Sequence, residues 1–202
     1  MSWVSLDEMA RALTSQSVLV SFPTDTVPAL ATRPEQAGLI YKAKRRPPEK
    51  PLILMGASLA DLLPYVAGSE REIMVWRAMT ERHWPGQLTL VLPASDRTPA
   101  DLNPTHTGTI GIRVPDHPVA LQLLSQTGPL ATTSANLSGQ PPLTTQSDIA
   151  RVFPTALTLS PEQYDAQASS GQPSTVALWT GKTSDEASVQ WQILRQGKIR
   201  LE

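Results

Sequence analysis

Ser17-Val18-Leu19-Val20-Ser21-Phe22-Pro23-Thr24-Asp25-Thr26 is a short apolar run that stops at a proline and passes into a loop of hydroxyls. The β-branched and aromatic residues, the length and the Pro23 stop predict a buried strand over Ser17–Phe22. A polar loop at the end of a buried strand is a place where open α/β sheets bind ligands. Further apolar runs of this kind recur along the chain, which predicts strands at Leu52–Met55, Leu88–Leu92, Thr109–Val114, Leu130–Thr133, Ala156–Leu159, Thr175–Trp179 and Val189–Leu194.

Helical patterns fall between them. Ala37, Ile40, Tyr41 and Lys44 are spaced for one face of a helix over Gln36–Lys44, and Pro47-Pro48 must end it, because a proline disfavours helix in the residue before it. Helices are also expected at Leu59–Tyr65 and at Ser69–His83, with Ser69 or Glu70 at the start and Trp84-Pro85-Gly86 as the stop. Asp116 reads as an N-cap with Pro118 in the first turn, opening a helix to about Gln126, and His117 reads as a surface residue there. Thr145-Gln146-Ser147-Asp148 resembles a capping box opening a helix to about Val152. Strands alternating with helices indicate one α/β domain, and the strand-rich ends indicate a mixed sheet. There is no internal repeat and no evident linker, so a single domain over residues 1–202, with a core of about 6–199, is expected.

Composition narrows the function. The chain has 202 residues and a formal charge of -1, so it lacks the strong basic excess of a general nucleic-acid coat. It has no cysteine, which excludes disulfides and thiolate chemistry and fits a reducing cytoplasm. The N-terminus shows no basic segment followed by an apolar run, and no stretch approaches the ~20 apolar residues a bilayer demands, so a cytoplasmic protein without membrane contact is expected. The 19 prolines are spread along the chain as punctuation between elements.

The charge is nevertheless uneven. Lys42, Lys44, Arg45, Arg46 and Lys50 crowd together after the first predicted helix, a cluster suited to a phosphate-bearing ligand or to a solvated helix end. Gly181-Lys182-Thr183 looks like the tail of a P-loop, but Val176 stands where that motif needs glycine. No GxGxxG fingerprint is present, His83, His106 and His117 have no zinc-site spacing, and Ser134 lacks the setting of a hydrolase nucleophile. What remains is a set of polar groups at strand ends: Pro23-Thr24-Asp25-Thr26, Lys44 to Lys50, Thr133-Ser134-Ala135-Asn136-Leu137-Ser138-Gly139, Ser174-Thr175-Val176 and Arg195.

In order and spacing, this set resembles the YrdC-type threonylcarbamoyl-AMP synthase family over nearly the whole chain. The family's K-x-R and S-x-N pair stands here as Lys44/Arg46 and Ser134/Asn136, supported by Trp84-Pro85-Gly86-Gln87-Leu88-Thr89, Gly111-Ile112-Arg113-Val114-Pro115 and Ile193-Leu194-Arg195. The resemblance implies a twisted mixed sheet flanked by helices, with a positively lined concave cavity. It implies ATP, L-threonine and bicarbonate as substrates, Mg2+ arriving with ATP, downstream tRNA threonylcarbamoyl transferase proteins as partners, and a possible RNA contact. Carried over by motif, Lys44, Arg46, Ser134 and Asn136 are the catalytic set. Lys50, Thr109, Thr144 and Arg195 join them on ATP, while Thr26, Arg113 and Ser174 hold threonine. No protein ligand to a metal is implied. Adenylate formation builds charge on phosphate oxygens, and fixed cations and hydroxyl donors are what that step needs.

The sequence departs from the family at Pro28 and Ala29, where tyrosine and glycine are usual, and at Ser169-Ser170-Gly171, where an acidic turn is usual. Proline removes a ring and a backbone donor, and alanine takes positive φ less readily than glycine. A divergent paralogue with another substrate and a double-stranded-RNA-binding module are the competing readings.

Overall fold

A computed structural model describes residues 3–160, 169–181 and 190–201. Among these residues lie ten strands of one mixed sheet, in the order β1-β8-β2-β3-β7-β4-β6-β5-β9-β10. The strands are β1 (Trp3–Val4), β2 (Leu19–Phe22), β3 (Ala29–Thr32), β4 (Ile53–Met55), β5 (Leu88–Pro93), β6 (Thr109–Arg113), β7 (Leu130–Ser134), β8 (Ala156–Leu159), β9 (Thr175–Trp179) and β10 (Trp191–Arg195). Parallel pairs such as β4 with β6 and β5 with β9 alternate with antiparallel ones such as β3 with β7 and β5 with β6. The helices are α1 (Leu6–Ser15), α2 (Gly38–Lys44), α3 (Leu59–Leu62), α4 (Glu70–His83), α5 (Pro118–Thr127) and α6 (Gln146–Val152).

The period of two along each strand divides the core into two layers. Leu30, Leu54, Leu90, Ile112 and Ala131 face one side, where Ile40 of α2, Trp76 of α4 and Ile149 of α6 cover them. Ala29, Ala31, Met55 and Leu130 face the other, beneath Met9 and Leu13 of α1 and Leu123 and Leu124 of α5. Burying side chains of this size stabilises by about 1.5–3 kcal/mol each relative to leaving them in water.

The predicted elements appear within a few residues of their expected bounds, and three further ones join them. The two-residue β1 is too short to read from its sequence. Helix α1 carries apolar Leu6, Met9, Ala10 and Leu13 at helical spacing, with a Ser5–Glu8 capping box at its start. Strand β3 reads Ala-Leu-Ala-Thr and has little strand propensity of its own; pairing with β2 on one side and β7 on the other makes it a strand. His117 corrects its expectation: it is the N-cap of α5, offers no side-chain cap bond and is fully buried, because Asp116 keeps the exposed place as the chain turns inward. The Thr145 hydroxyl does accept from the Asp148 amide at 3.1 Å. The start of the strand expected at Val189, and Lys182 and Thr183 of the rejected P-loop tail, lie outside the described residues.

Glu72 ties α4 to the far end of the sheet. One carboxylate oxygen accepts from the Ser69 amide and hydroxyl at 2.9 Å, and the other accepts from Trp179 Nε1 at 2.9 Å. Trp179 in turn stacks edge-on against Trp76 and tilts onto Trp191. The Ser69 backbone bond, then the Trp179 bond, hold the Glu72 carboxyl below its ordinary value of 4.5. A depressed folded pKa contributes stability above the ordinary value and loses it as pH falls through the folded one. Glu72→Gln is expected to cost about 1 kcal/mol near neutral pH. That difference from the native chain should shrink as pH falls below 4.5 and vanish only once pH is below the depressed folded value, in urea unfolding followed across pH.

Candidate active site

The side of the sheet that carries α1 and α5 is only partly covered by them. The remainder forms a cavity of about 280 Å³. Its floor is the set of alternate residues Ala29 of β3, Thr132 and Ser134 of β7, Ile53 and Met55 of β4 and Arg113 of β6, brought side by side by the strand register. Its walls are Thr26 and Val27, Arg46 and Lys50, and Pro173, Ser174 and Arg195. Four of the lining residues are basic and none is acidic.

Seven residues expected from the sequence therefore meet in one place: Thr26, Arg46, Lys50, Arg113, Ser134, Ser174 and Arg195. Four others lie outside the lining. Lys44 and Asn136 are buried behind it. Thr109 sits on the same face of β6 as Arg113 but at the strand's opposite end, where it borders a separate small cavity and shares a hydrogen bond with the Thr107 hydroxyl at 3.0 Å. Four residues of strand separate the two by about 13 Å. Thr144 is an exposed loop residue ahead of α6.

Arg113 is the centre of the wall. Its NH2 meets Asp25 Oδ1 at 2.6 Å, its NH1 donates to Thr26 Oγ1 at 2.8 Å and its Nε donates to the Gly86 carbonyl at 3.0 Å. Burial pushes the Asp25 carboxyl up and the Arg113 guanidinium down from their ordinary values, and the attraction within the pair opposes both shifts. Asp25 went unassigned on the sequence, although it stands inside the Pro-Thr-Asp-Thr loop; a buried arginine in want of a counter-ion was the signal for it. Thr24 Oγ1 donates to the Val27 carbonyl at 2.7 Å and lies 3.0 Å from Thr26 Oγ1, which fixes the loop from within. Ser170 and Gly171 donate their amides to the carbonyls of Asp25 and Thr26 at 2.9 and 2.8 Å, and Ser169 Oγ also donates to Thr26. Two main-chain amides and one hydroxyl thus seat the 169–171 turn on the β2–β3 loop.

On the opposite wall, Ser174 Oγ lies 2.8 Å from Thr89 Oγ1, while Arg195 donates to the Ser174 carbonyl at 3.0 Å and to its hydroxyl at 3.2 Å. Gly197 packs directly behind this pair. A Cβ there would lie 2.5 Å from the Pro173 carbonyl oxygen and from the Thr175 amide.

The basic turn lies across the cavity. Helix α2 ends at Lys44, and Arg45 follows in the left-handed conformation at φ 50°. Arg46 then faces the cavity, with Nε on the Lys50 carbonyl at 2.7 Å and NH2 on the Pro51 carbonyl at 3.0 Å. Burial lowers the Arg46 and Arg195 guanidinium pKa values, yet both stay cations because arginine titrates so high. Lys44 is only 1% exposed, and burial, followed by the Arg46 charge, lowers it to about 7.

Pro28 and Ala29 fit without strain. Ala29 is the first residue of β3, in extended conformation and paired with Ser134, so the position makes no demand for glycine. The Pro28 carbonyl accepts from the Ala135 amide at 2.9 Å.

The family model named Sua5/YciO/YrdC and described as "Telomere recombination" matches residues 12–197. The chain belongs to the Sua5/YciO/YrdC family. Threonylcarbamoyl-AMP synthase of Chromohalobacter salexigens is 32% identical over 184 residues, covering 88% of this chain and 96% of that protein. The enzyme of the same name from Bacillus subtilis is 38% identical over 148 residues, which are 70% of this chain and 41% of that longer protein. Among solved structures, P. abyssi Sua5 complexed with L-threonine superposes with a TM-score of 0.79 at 29% identity, covering 95% of this chain and 54% of that one. The chain therefore spans about half the length of the longer relatives and nearly all of the short one. Among its described residues, no helix is long and apolar enough to cross a membrane.

Two substitutions, with a third as control, probe how this Sua5/YciO/YrdC site is held. Asp25→Ala strands the Arg113 charge and should lower stability by about 3–5 kcal/mol in urea unfolding. Gly197→Ala should cost about 1–3 kcal/mol by overpacking. Gly38→Ala, where an added Cβ meets nothing within 4 Å, should be neutral or stabilising in the same measurement.

Proposed function

We propose that this chain is a threonylcarbamoyl-AMP synthase, joining L-threonine, bicarbonate and ATP into threonylcarbamoyl-adenylate with release of pyrophosphate. The observation that carries the reading is the convergence of two chemistries in one cavity: Arg46, Lys50 and Arg195 for phosphate, and Thr26, Arg113 and Ser174 for an amino acid.

The threonine amine adds to the carbon supplied by bicarbonate and yields a carbamate with loss of water. A carbamate oxygen then attacks the α-phosphorus of ATP, and the bond from that phosphorus to the bridging oxygen breaks, so pyrophosphate leaves. Charge builds on the α-phosphate oxygens and on the leaving group. Guanidinium groups held in place by carbonyl contacts, as Arg46 and Arg195 are, meet that charge without reorganising. Arg113, with hydrogens left over after its three contacts, is suited to the amino-acid carboxylate. Mg2+ enters with ATP as part of the substrate. The product is consumed by a transferase that passes the threonylcarbamoyl group to adenosine 37 of tRNA.

Pyrophosphate release from ATP, Mg2+, bicarbonate and threonine, with one component omitted at a time, tests the reading. Release should require threonine and bicarbonate together. Arg46→Met should lower kcat/KM by on the order of 10²–10³. Release that persists without threonine would remove the synthase assignment.

A further inference from the structure

The motif resemblance puts Lys44 and Arg46 together on the nucleotide, but in this structure the two cations do different things. Three oxygen acceptors surround Lys44 Nζ and hold it as the ammonium against the burial that lowers its pKa to about 7, and an ammonium has three donors. Lys44 Nζ spends all three inward: on the Ser134 carbonyl, on the Asn136 carbonyl at 2.5 Å and on Asn136 Oδ1 at 3.2 Å. The lysine's own carbonyl accepts from the Ser138 amide at 3.3 Å, so the 134–138 loop is fastened to it twice.

The contacts form a directed chain. Asn136 Nδ2 donates to the Leu137 carbonyl at 2.9 Å and to the Gln140 carbonyl at 2.5 Å, leaving Oδ1 as the acceptor for Lys44. Flipping that amide would set its NH2 against an ammonium, so the charge on Lys44 fixes the asparagine's orientation. Asn136 Oδ1 also accepts from Ser134 Oγ at 2.5 Å, and Ser134 lines the cavity. The lysine thereby aims a hydroxyl it does not touch.

We infer that Lys44 is a positioning residue, which through Asn136 sets the Ser134 hydroxyl at the cavity wall, and that Arg46, Lys50 and Arg195 are the cations facing the phosphates. The part concerning turnover rests on the synthase reading; the part concerning binding does not.

MgATP binding by calorimetry across a salt series separates the two roles, because each cation that meets phosphate contributes to the salt dependence of affinity. Arg46→Met should flatten that dependence clearly more than Lys44→Met does, since a contacting cation is the stronger contributor. Amide hydrogen exchange in residues 134–139 should speed up by roughly tenfold or more in Lys44→Met, from loss of the bonds that close the loop, and stay unchanged in Arg46→Met. In pyrophosphate release, Lys44→Met should lower kcat, and adding Asn136→Ala should cost little more, since both act through one hydroxyl. A salt slope flattened as much in Lys44→Met as in Arg46→Met, or additive losses in the double variant, would overturn the inference. If Lys44→Met does not fold, NMR of Cε-labelled lysine in the native chain decides. A Lys44 pKa that rises by less than about one unit on adding MgATP supports positioning, and a rise of about one to three units means a phosphate contact and overturns it. The binding and NMR readouts need no turnover, so a native chain that binds MgATP without releasing pyrophosphate would count against the synthase reading alone.

Discussion

A guanidinium cannot be set at the end of a buried strand without partners, and the loops around the cavity are arranged by that constraint. Arg113 draws in Asp25 and Thr26 from the β2–β3 loop and the Gly86 carbonyl from the turn after α4. The β2–β3 loop, so held, becomes the seat for the 169–171 turn, which leads to Ser174 and thence to Arg195. Segments distant in sequence are thus referred to a single charged group at the end of β6. The sheet supplies the floor, and this ion pair supplies the register of the walls.

Much of the architecture was legible because apolar runs bounded by proline and glycine mark strands, and because α4 and α6 announce themselves by their caps. Helix α1 carried an equal signal in its Ser5–Glu8 box and its Leu6, Met9, Ala10, Leu13 stripe, but it went unassigned on the sequence. Strand β3 was not, since two alanines and a threonine carry no preference strong enough to show; its conformation comes from neighbours on both sides. The burial of His117 was likewise hidden, because a residue before a helix-starting proline faces in or out according to tertiary packing.

The site was legible as a set of residue types at strand ends, and the cavity gathers most of them. Their division of labour was not. Spacing places Lys44 and Arg46 together, but only the loop at 134–140 shows that the first is enclosed by oxygen acceptors while the second meets open space. The need for glycine at position 197 was also invisible, since it arises from backbone approaching backbone across 22 residues, as the Gly197 amide bonds to Thr175 Oγ1. The doubt attached to Ala29 disappears for a related reason: the strand it begins is extended, and extended backbone accepts any side chain.

Arg45, in its left-handed turn, makes Lys44 and Arg46 chain neighbours that look into separate compartments. The interval between them is therefore a fixed length of chain whose middle residue reverses direction, and it acts as a phase marker. Removing one residue from it would send the wrong cation inward: a broad, planar guanidinium would have to enter a niche shaped for an ammonium, and the cavity would lose its charge at the same stroke. The middle residue is open to choice in its chemistry but constrained in its backbone, which is the physical content of a motif written with one free position.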